Sequence, residues 1–150
     1  MPLHEGVPVI QQAIQLAIAP VFLLTGIAAL LGVMTNRLAR IIDRARDLEN
    51  RATTLSEVAL ASARVELRNL ERRRTLASWS INFCTCAALM VCFVIATLFF
   101  EEFLGAELRW LAGPLFVAAM MCLVGGLSCF LREVYLATHL GRIQHEKFGL

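Results

Sequence analysis

Hydrophobic residues form three long uncharged runs that are separated by polar segments. The first run extends from about Ala13 to Met34, the second from about Ser78 to Phe100 and the third from about Trp110 to Leu131. A helix rises about 1.5 Å per residue, so each run is long enough to cross the roughly 30 Å hydrocarbon layer of a bilayer. The pattern therefore predicts an all-α integral membrane protein with three transmembrane helices.

The polar segment between the first and second runs continues the helical pattern. Apolar positions recur at spacings of three and four on both sides of a break at residues 50–54. Within and just after this break, Thr54-x-x-Glu57 matches a capping box, which predicts the start of a second helix. We therefore predict an extended cytoplasmic helical hairpin between the first and second spans, projecting about 25 Å from the membrane.

Basic residues are distributed unevenly along the chain, and this distribution predicts its orientation. Of the fourteen Lys and Arg residues, ten lie between Arg37 and Arg74, three follow the third run, and only Arg109 lies between the second and third runs. Cytoplasmic connections carry an excess of Lys and Arg. The N-terminus is therefore predicted outside, and the hairpin and the C-terminus in the cytoplasm.

Together these patterns divide the chain into seven predicted segments. They are an external leader at 1–8, transmembrane helices at 9–35, 76–100 and 110–131, the cytoplasmic hairpin at 36–75, an external loop at 101–109 and a cytoplasmic amphipathic tail at 132–150.

Candidate catalytic groups are sparse. No Asp, Glu, His, Lys or Arg lies within the apolar part of any span, and all five cysteines lie inside the spans, where they behave as small apolar residues. His139 and His145 are six residues apart, so they do not share the face that a helical metal-binding pair would use. We therefore expect no enzyme activity, metal or cofactor.

The charged hairpin also bears on which partners are expected. Acidic residues alternate with its arginines, which argues against nucleic acid and favours anionic lipid headgroups as the partner of the basic side chains.

Two blocks resemble a bacterial family of small membrane proteins catalogued as domain-of-unknown-function family 2721. They are QLAIAPVFLLTGIAALLGVMTNRLARIIDRAR at residues 15–46 and FLREVYLATHL at residues 130–140. The resemblance extends over nearly the whole chain and implies three spans and a cytoplasmic helical segment, without an assigned activity. With the predicted orientation, it places the chain in the bacterial inner (cytoplasmic) membrane as a multi-pass protein.

One functional hypothesis is an oligomeric scaffold or interaction protein that uses its hairpin for assembly or for binding another protein. Small or weakly polar residues on the second and third spans predict close helix packing, within one chain or in a homo-oligomer. These packing residues are Asn82, Thr85, Cys122, Gly125, Gly126 and Cys129.

The alternative hypothesis is a homo-oligomeric ion channel or pore lined by the first span. One stripe of that span is polar at both ends, with two large apolar residues that could gate by dewetting. The stripe consists of Gln11, Gln15, Ile18, Phe22, Thr25, Ala29, Gly32 and Asn36. Six arginines would surround the inner mouth or bind headgroups: Arg37, Arg40, Arg44, Arg72, Arg73 and Arg74.

Overall fold

The computed structural model describes the backbone at residues 6–52, 57–104 and 109–148, and side chains at 14–51, 59–101 and 110–138. Within those ranges the chain forms three helices and no strand: α1 (Gly6–Ala52), α2 (Glu57–Leu104) and α3 (Arg109–Phe148). Each contains a segment that is long and apolar enough to cross a membrane. The predicted all-α class is therefore confirmed, with three helices that are long and apolar enough to span a membrane.

Each helix continues without interruption from its apolar run into a charged segment. α1 extends past Asn36 to Ala52, and α2 begins at Glu57 and enters its apolar run near Ser78. In the same way α3 continues beyond Glu133 to Phe148, so the residues of the predicted tail prolong the third helix. The changes at 35/36, 75/76 and 131/132 are changes in composition and do not break the helices.

Buried positions recur along each helix with a repeat of seven residues. On α3 they are Ala112, Ala119, Gly126 and Glu133. On α2 the buried residues are Ala63, Leu70, Ala77, Ser80, Cys84, Ala87, Val91 and Val94. On α1 the buried or half-buried residues at this repeat are Ala17, Pro20, Leu24, Ile27, Leu31, Met34, Leu38, Ile41, Ala45 and Leu48. Alternating spacings of three and four are those of coiled-coil core positions, and small residues there permit close helix approach. We call these buried positions the seam of each helix.

This internal packing involves only a small part of the apolar surface. The most apolar segments of the three helices are only 17%, 22% and 11% buried. Large apolar side chains such as Phe22, Phe93 and Met121 face outward, as expected where lipid or another subunit is the surrounding medium.

Contacts divide the chain into two units, and each helix contributes to both. One unit comprises Met1–Leu31 and Phe83–Val124, and the other comprises Gly32–Asn82 and Gly125–Leu150. In the first unit the Cys86 and Cys122 thiols are neighbours, which places α2 next to α3 there. The second unit contains an apolar cluster of Ile41, Leu70 and Ala77, against which Leu38, Ala45 and Leu48 pack.

The predicted packing face of α2 is not the face that packs inside the chain. Asn82 and Thr85 are exposed, whereas the buried seam contains Ser80 and Cys84. A shift of one or two residues turns the face by about 100–200° around a helix. On α3, by contrast, Gly126 is buried and Cys122, Gly125 and Cys129 are half-buried, so the predicted residues do border the internal seam.

Candidate functional site

A carboxylate is fully buried where the apolar part of α3 ends. Glu133 follows Gly126 by seven residues on the α3 seam, and none of its surface is exposed. Carboxylates are almost never fully buried unless a cation accompanies them. The seam repeat therefore places a charge inside the second unit, and that charge requires partners.

Two arginines from the other two helices surround this carboxylate. Arg73 of α2 donates from Nε and Nη2 to Glu133 Oε1, over 3.1 and 2.9 Å. Arg37 of α1 places Nη2 3.3 Å from Oε2, close enough for an ion pair. The geometry there is not that of a hydrogen bond, and Oε2 accepts none from the described residues. Glu133 thus links α3 to both other helices. Its contact with Arg73 of α2, through two hydrogen bonds, is stronger than its ion pair with Arg37 of α1.

The two arginines remain in partial contact with the surroundings. The side chain of Arg37 is 34% exposed and that of Arg73 is 24% exposed, against 1% for Glu133. The Arg37 guanidinium also lies 5.4 Å from the centre of the Phe130 ring, within range of a cation–π contact. Both cations can therefore present unused N–H groups outward while they neutralise the carboxylate behind them.

A second buried polar contact lies one heptad from Glu133 along α3. The Ser80 hydroxyl is fully buried and donates to the Gly126 carbonyl oxygen at 2.7 Å. Met34 Sδ lies 3.3 Å from the same hydroxyl oxygen. A hydroxyl has one proton, and the shorter bond to oxygen is the stronger of the two. Ser80 therefore fixes the distance between α2 and α3, with α1 packed alongside.

An open groove of about 530 Å³ lies beside this cluster in the second unit. Its polar lining consists of Asn36, Arg37, Arg40, Arg44 and Arg73, and its apolar lining of Val33, Ile41 and Leu70. Arg44 donates to Glu66 from Nε and Nη2, at 3.2 and 3.1 Å. Arg40 is exposed and forms no ion pair with any residue in the described ranges. The groove is therefore strongly basic, with an apolar end at Val33.

The other predicted arginines lie elsewhere. Arg72 lines a separate groove of about 650 Å³ together with Arg68, Glu71 and Arg132. Arg74 lines a third, smaller groove with Trp79. The six arginines predicted as one group thus divide between an internal ion pair, one basic groove and two other surface positions.

The predicted pore-lining residues whose side chains the structure describes are exposed on the surface of α1. Gln15, Ile18, Phe22, Thr25, Ala29, Gly32 and Asn36 are exposed, whereas the side chain of Gln11 lies outside the described residues. This stripe is offset by two residues from the buried seam of α1, or about 200° around the helix. Most of this face is therefore unpartnered within the chain, whereas Asn36 at its inner end lines the groove with Leu70 and Arg73 of α2.

Sequence reasoning missed Glu133 and Ser80. Glu133 falls in the predicted cytoplasmic tail at 132–150, and Ser80 lies on the buried seam of α2, outside the predicted packing face of Asn82 and Thr85. The signal that could have found Glu133 is its place in the repeat Ala112, Ala119, Gly126, Glu133. Among the residues whose side chains are described, no group of His, Cys, Asp and Glu could hold a metal ion.

Comparison with known families identifies the chain. The family model described as a protein of unknown function, DUF2721, matches residues 17–143. The chain belongs to this family. The match includes most of the first span, all of the second and third, and the buried cluster of Arg37, Arg73 and Glu133. No curated protein and no solved structure matches the chain. Since the DUF2721 description assigns no activity, function must be argued from the geometry.

Proposed function

We propose that this protein is an oligomeric inner-membrane interaction protein. Its three spans hold copies together in the bilayer, with the N-terminus outside and the C-terminus in the cytoplasm. The charged parts of α1 and α2 then form a cytoplasmic hairpin that assists assembly or binds another protein. Only the orientation argument from the basic residues supports this topology.

The observation that carries the proposal is the exposed, weakly polar face of α2. Ser78, Asn82, Thr85 and Cys92 are all exposed, although the internal seam passes close by. Asn82 lies eight residues after Arg74, or about 12 Å further along the helix. An amide exposed to hydrocarbon at that depth loses its hydrogen bonds to water, whereas an interhelical hydrogen bond in a membrane contributes about 1–2 kcal/mol. A second copy of the chain provides such a partner.

The charged segments support a role in binding as well. Ile41, Leu70 and Ala77 are buried between α1 and α2, so these apolar side chains already have packing partners within one chain. The outward positions carry both signs of charge, including Arg40, Asp43, Arg46, Glu49, Arg64 and Arg68. A surface of this kind favours polar, specific contacts over insertion into lipid.

Cysteine cross-linking in native membranes tests the proposal. In a chain whose five native cysteines are replaced by serine or alanine, Asn82→Cys places a thiol on the proposed interface, and Met121→Cys places one at an exposed position of α3, as the matched control. We expect oxidation to give dimers through position 82 and few through position 121. Native mass spectrometry of the unmodified protein should give a multiple of 16.6 kDa. A monomer by both methods would contradict the proposal.

A second candidate function is the pore. The observation that favours it is that the α1 stripe with Ile18 and Phe22 points away from the seam, with Phe22 74% exposed. Gly26 and Gly32 have nothing within 4 Å of an added Cβ, so this side of α1 is open to another helix or to water. Bilayer recordings distinguish the two functions. Phe22→Ala should increase the current through a dewetting gate, whereas a scaffold gives no current with either residue.

A further inference from the structure

We propose that the basic groove between α1 and α2 is a binding site for the phosphate group of one anionic phospholipid. The groove is the one lined by Val33, Asn36, Ile41, Leu70 and four arginines. This inference needs only the membrane placement of the chain and is independent of its oligomeric state.

The charge of the groove favours an anion. Its lining contains four guanidinium groups, those of Arg37, Arg40, Arg44 and Arg73, and no acidic residue. Glu133 pairs with Arg37 and Arg73, and Glu66 pairs with Arg44, so these two carboxylates neutralise two of the four positive charges. Two positive charges remain in excess, and Arg40 is exposed in the groove without an acidic partner among the described side chains. Guanidinium groups bind phosphate oxygens with paired N–H donors.

Glu133 has a positioning part in this site. It accepts two hydrogen bonds from Arg73 and lies 3.3 Å from the Arg37 guanidinium, which restricts both side chains. An arginine has five N–H donors, so Arg73 keeps three and Arg37 keeps most of its own for a ligand. Cations that are already ordered lose less conformational entropy on binding than freely rotating side chains do.

The apolar part of the lining identifies a lipid as the source of the phosphate. Val33 belongs to the uncharged first run and is 54% exposed, and Asn36 and Arg37 follow within one turn. The groove therefore passes from hydrocarbon level to the basic side chains over a few residues. A phospholipid has the same order of groups, with acyl chains followed by a phosphate. Basic pockets beside transmembrane helices at the cytoplasmic surface bind anionic headgroups in this way, and about 530 Å³ is within the usual size of ligand pockets.

Native mass spectrometry with added lipid tests the site. The full chain in detergent would be titrated with phosphatidylglycerol, and separately with phosphatidylcholine, which carries no net charge. Arg40→Gln removes a groove cation, and Arg46→Gln removes an exposed cation of the same helix that does not line the groove. We expect one phosphatidylglycerol per chain to bind more tightly than phosphatidylcholine. Arg40→Gln should weaken it about fivefold, the factor for one basic residue at a membrane surface, and Arg46→Gln less than twofold.

Three outcomes would overturn the proposal. Equal weakening by Arg40→Gln and Arg46→Gln would mean that lipid responds only to the overall charge. Equal binding of phosphatidylglycerol and phosphatidylcholine would mean that the groove does not select an anion. If millimolar inorganic phosphate displaces the lipid and stabilises the chain equally well, the occupant is free phosphate. Unchanged thermal midpoints of both variants would show that neither substitution disturbs the fold.

Discussion

Substitution of Arg73 by Met should destabilise the fold much more than substitution of Arg37 by Met. Both arginines contact Glu133, but Arg73 donates two hydrogen bonds at 2.9 and 3.1 Å, whereas Arg37 forms only an ion pair at 3.3 Å. Met keeps most of the apolar stem in each case. The comparison therefore measures the guanidinium groups and not the packing of the side chains.

The expected free-energy cost of each substitution depends on which charged groups remain next to Glu133. Breaking a buried pair and leaving its carboxylate without a partner costs about 3–5 kcal/mol. Arg37 stays next to Glu133 in Arg73→Met, so about 3 kcal/mol is expected, at the lower end of that range. Arg37→Met removes a more exposed cation without a hydrogen bond and should cost about 1 kcal/mol. Adding Glu133→Gln to Arg73→Met removes the buried charge that has lost its hydrogen-bonded partner. The double variant should therefore recover part of the loss, as a coupling of about 1.5–3 kcal/mol.

Reversible unfolding in mixed micelles, followed by circular dichroism, would provide these free energies for the native chain, Arg73→Met, Glu133→Gln, their double variant and Arg37→Met. Labelling of Cys84, which is fully buried, would report loss of helix packing independently of helix content. Equal effects of Arg37→Met and Arg73→Met would refute the reasoning. So would strictly additive effects of Arg73→Met and Glu133→Gln, because additivity means that the two side chains do not interact.

Three further predictions concern the helix contacts. Ser80→Ala should lower the free energy of unfolding by about 1–3 kcal/mol in the same assay, because the Gly126 contact is lost; an unchanged value would show that this bond contributes nothing. Copper phenanthroline, with oxygen as oxidant, should form a disulfide between Cys86 and Cys122. Mass spectrometry should detect one linked peptide, which should be absent in Cys86→Ser. Failure to form this disulfide would contradict the α2–α3 contact. Ile27→Ala should cost about 2–5 kcal/mol, as for a buried side chain, and an effect below 1 kcal/mol would contradict its burial.

The three helices could be predicted from the sequence because the length of each uncharged apolar run can be counted directly along the chain. A run such as Ala13–Met34 has to be helical and long enough to cross, whatever it packs against. The continuation of α1 through Arg37 was equally accessible, because no proline or glycine pair follows. These features depend on local composition alone.

The buried cluster depends instead on how three helices are rotated about their axes. Glu133 at the end of a span has the composition of an ordinary interfacial charge, and only its position on the α3 seam buries it. The same rotation turns Asn82 outward and Ser80 inward, although both are small or polar residues on one span. The predicted headgroup role of Arg37 and Arg73 was incomplete for this reason, since each first neutralises Glu133.

Single-particle imaging of the protein in lipid nanodiscs tests the proposed function most directly. The account predicts an assembly of two or more copies in which α2 contacts α2 of a neighbour and Asn82 is buried at that contact. A single copy surrounded by lipid, or a ring in which α1 alone lines a water-filled axis and Asn82 faces lipid, would contradict it.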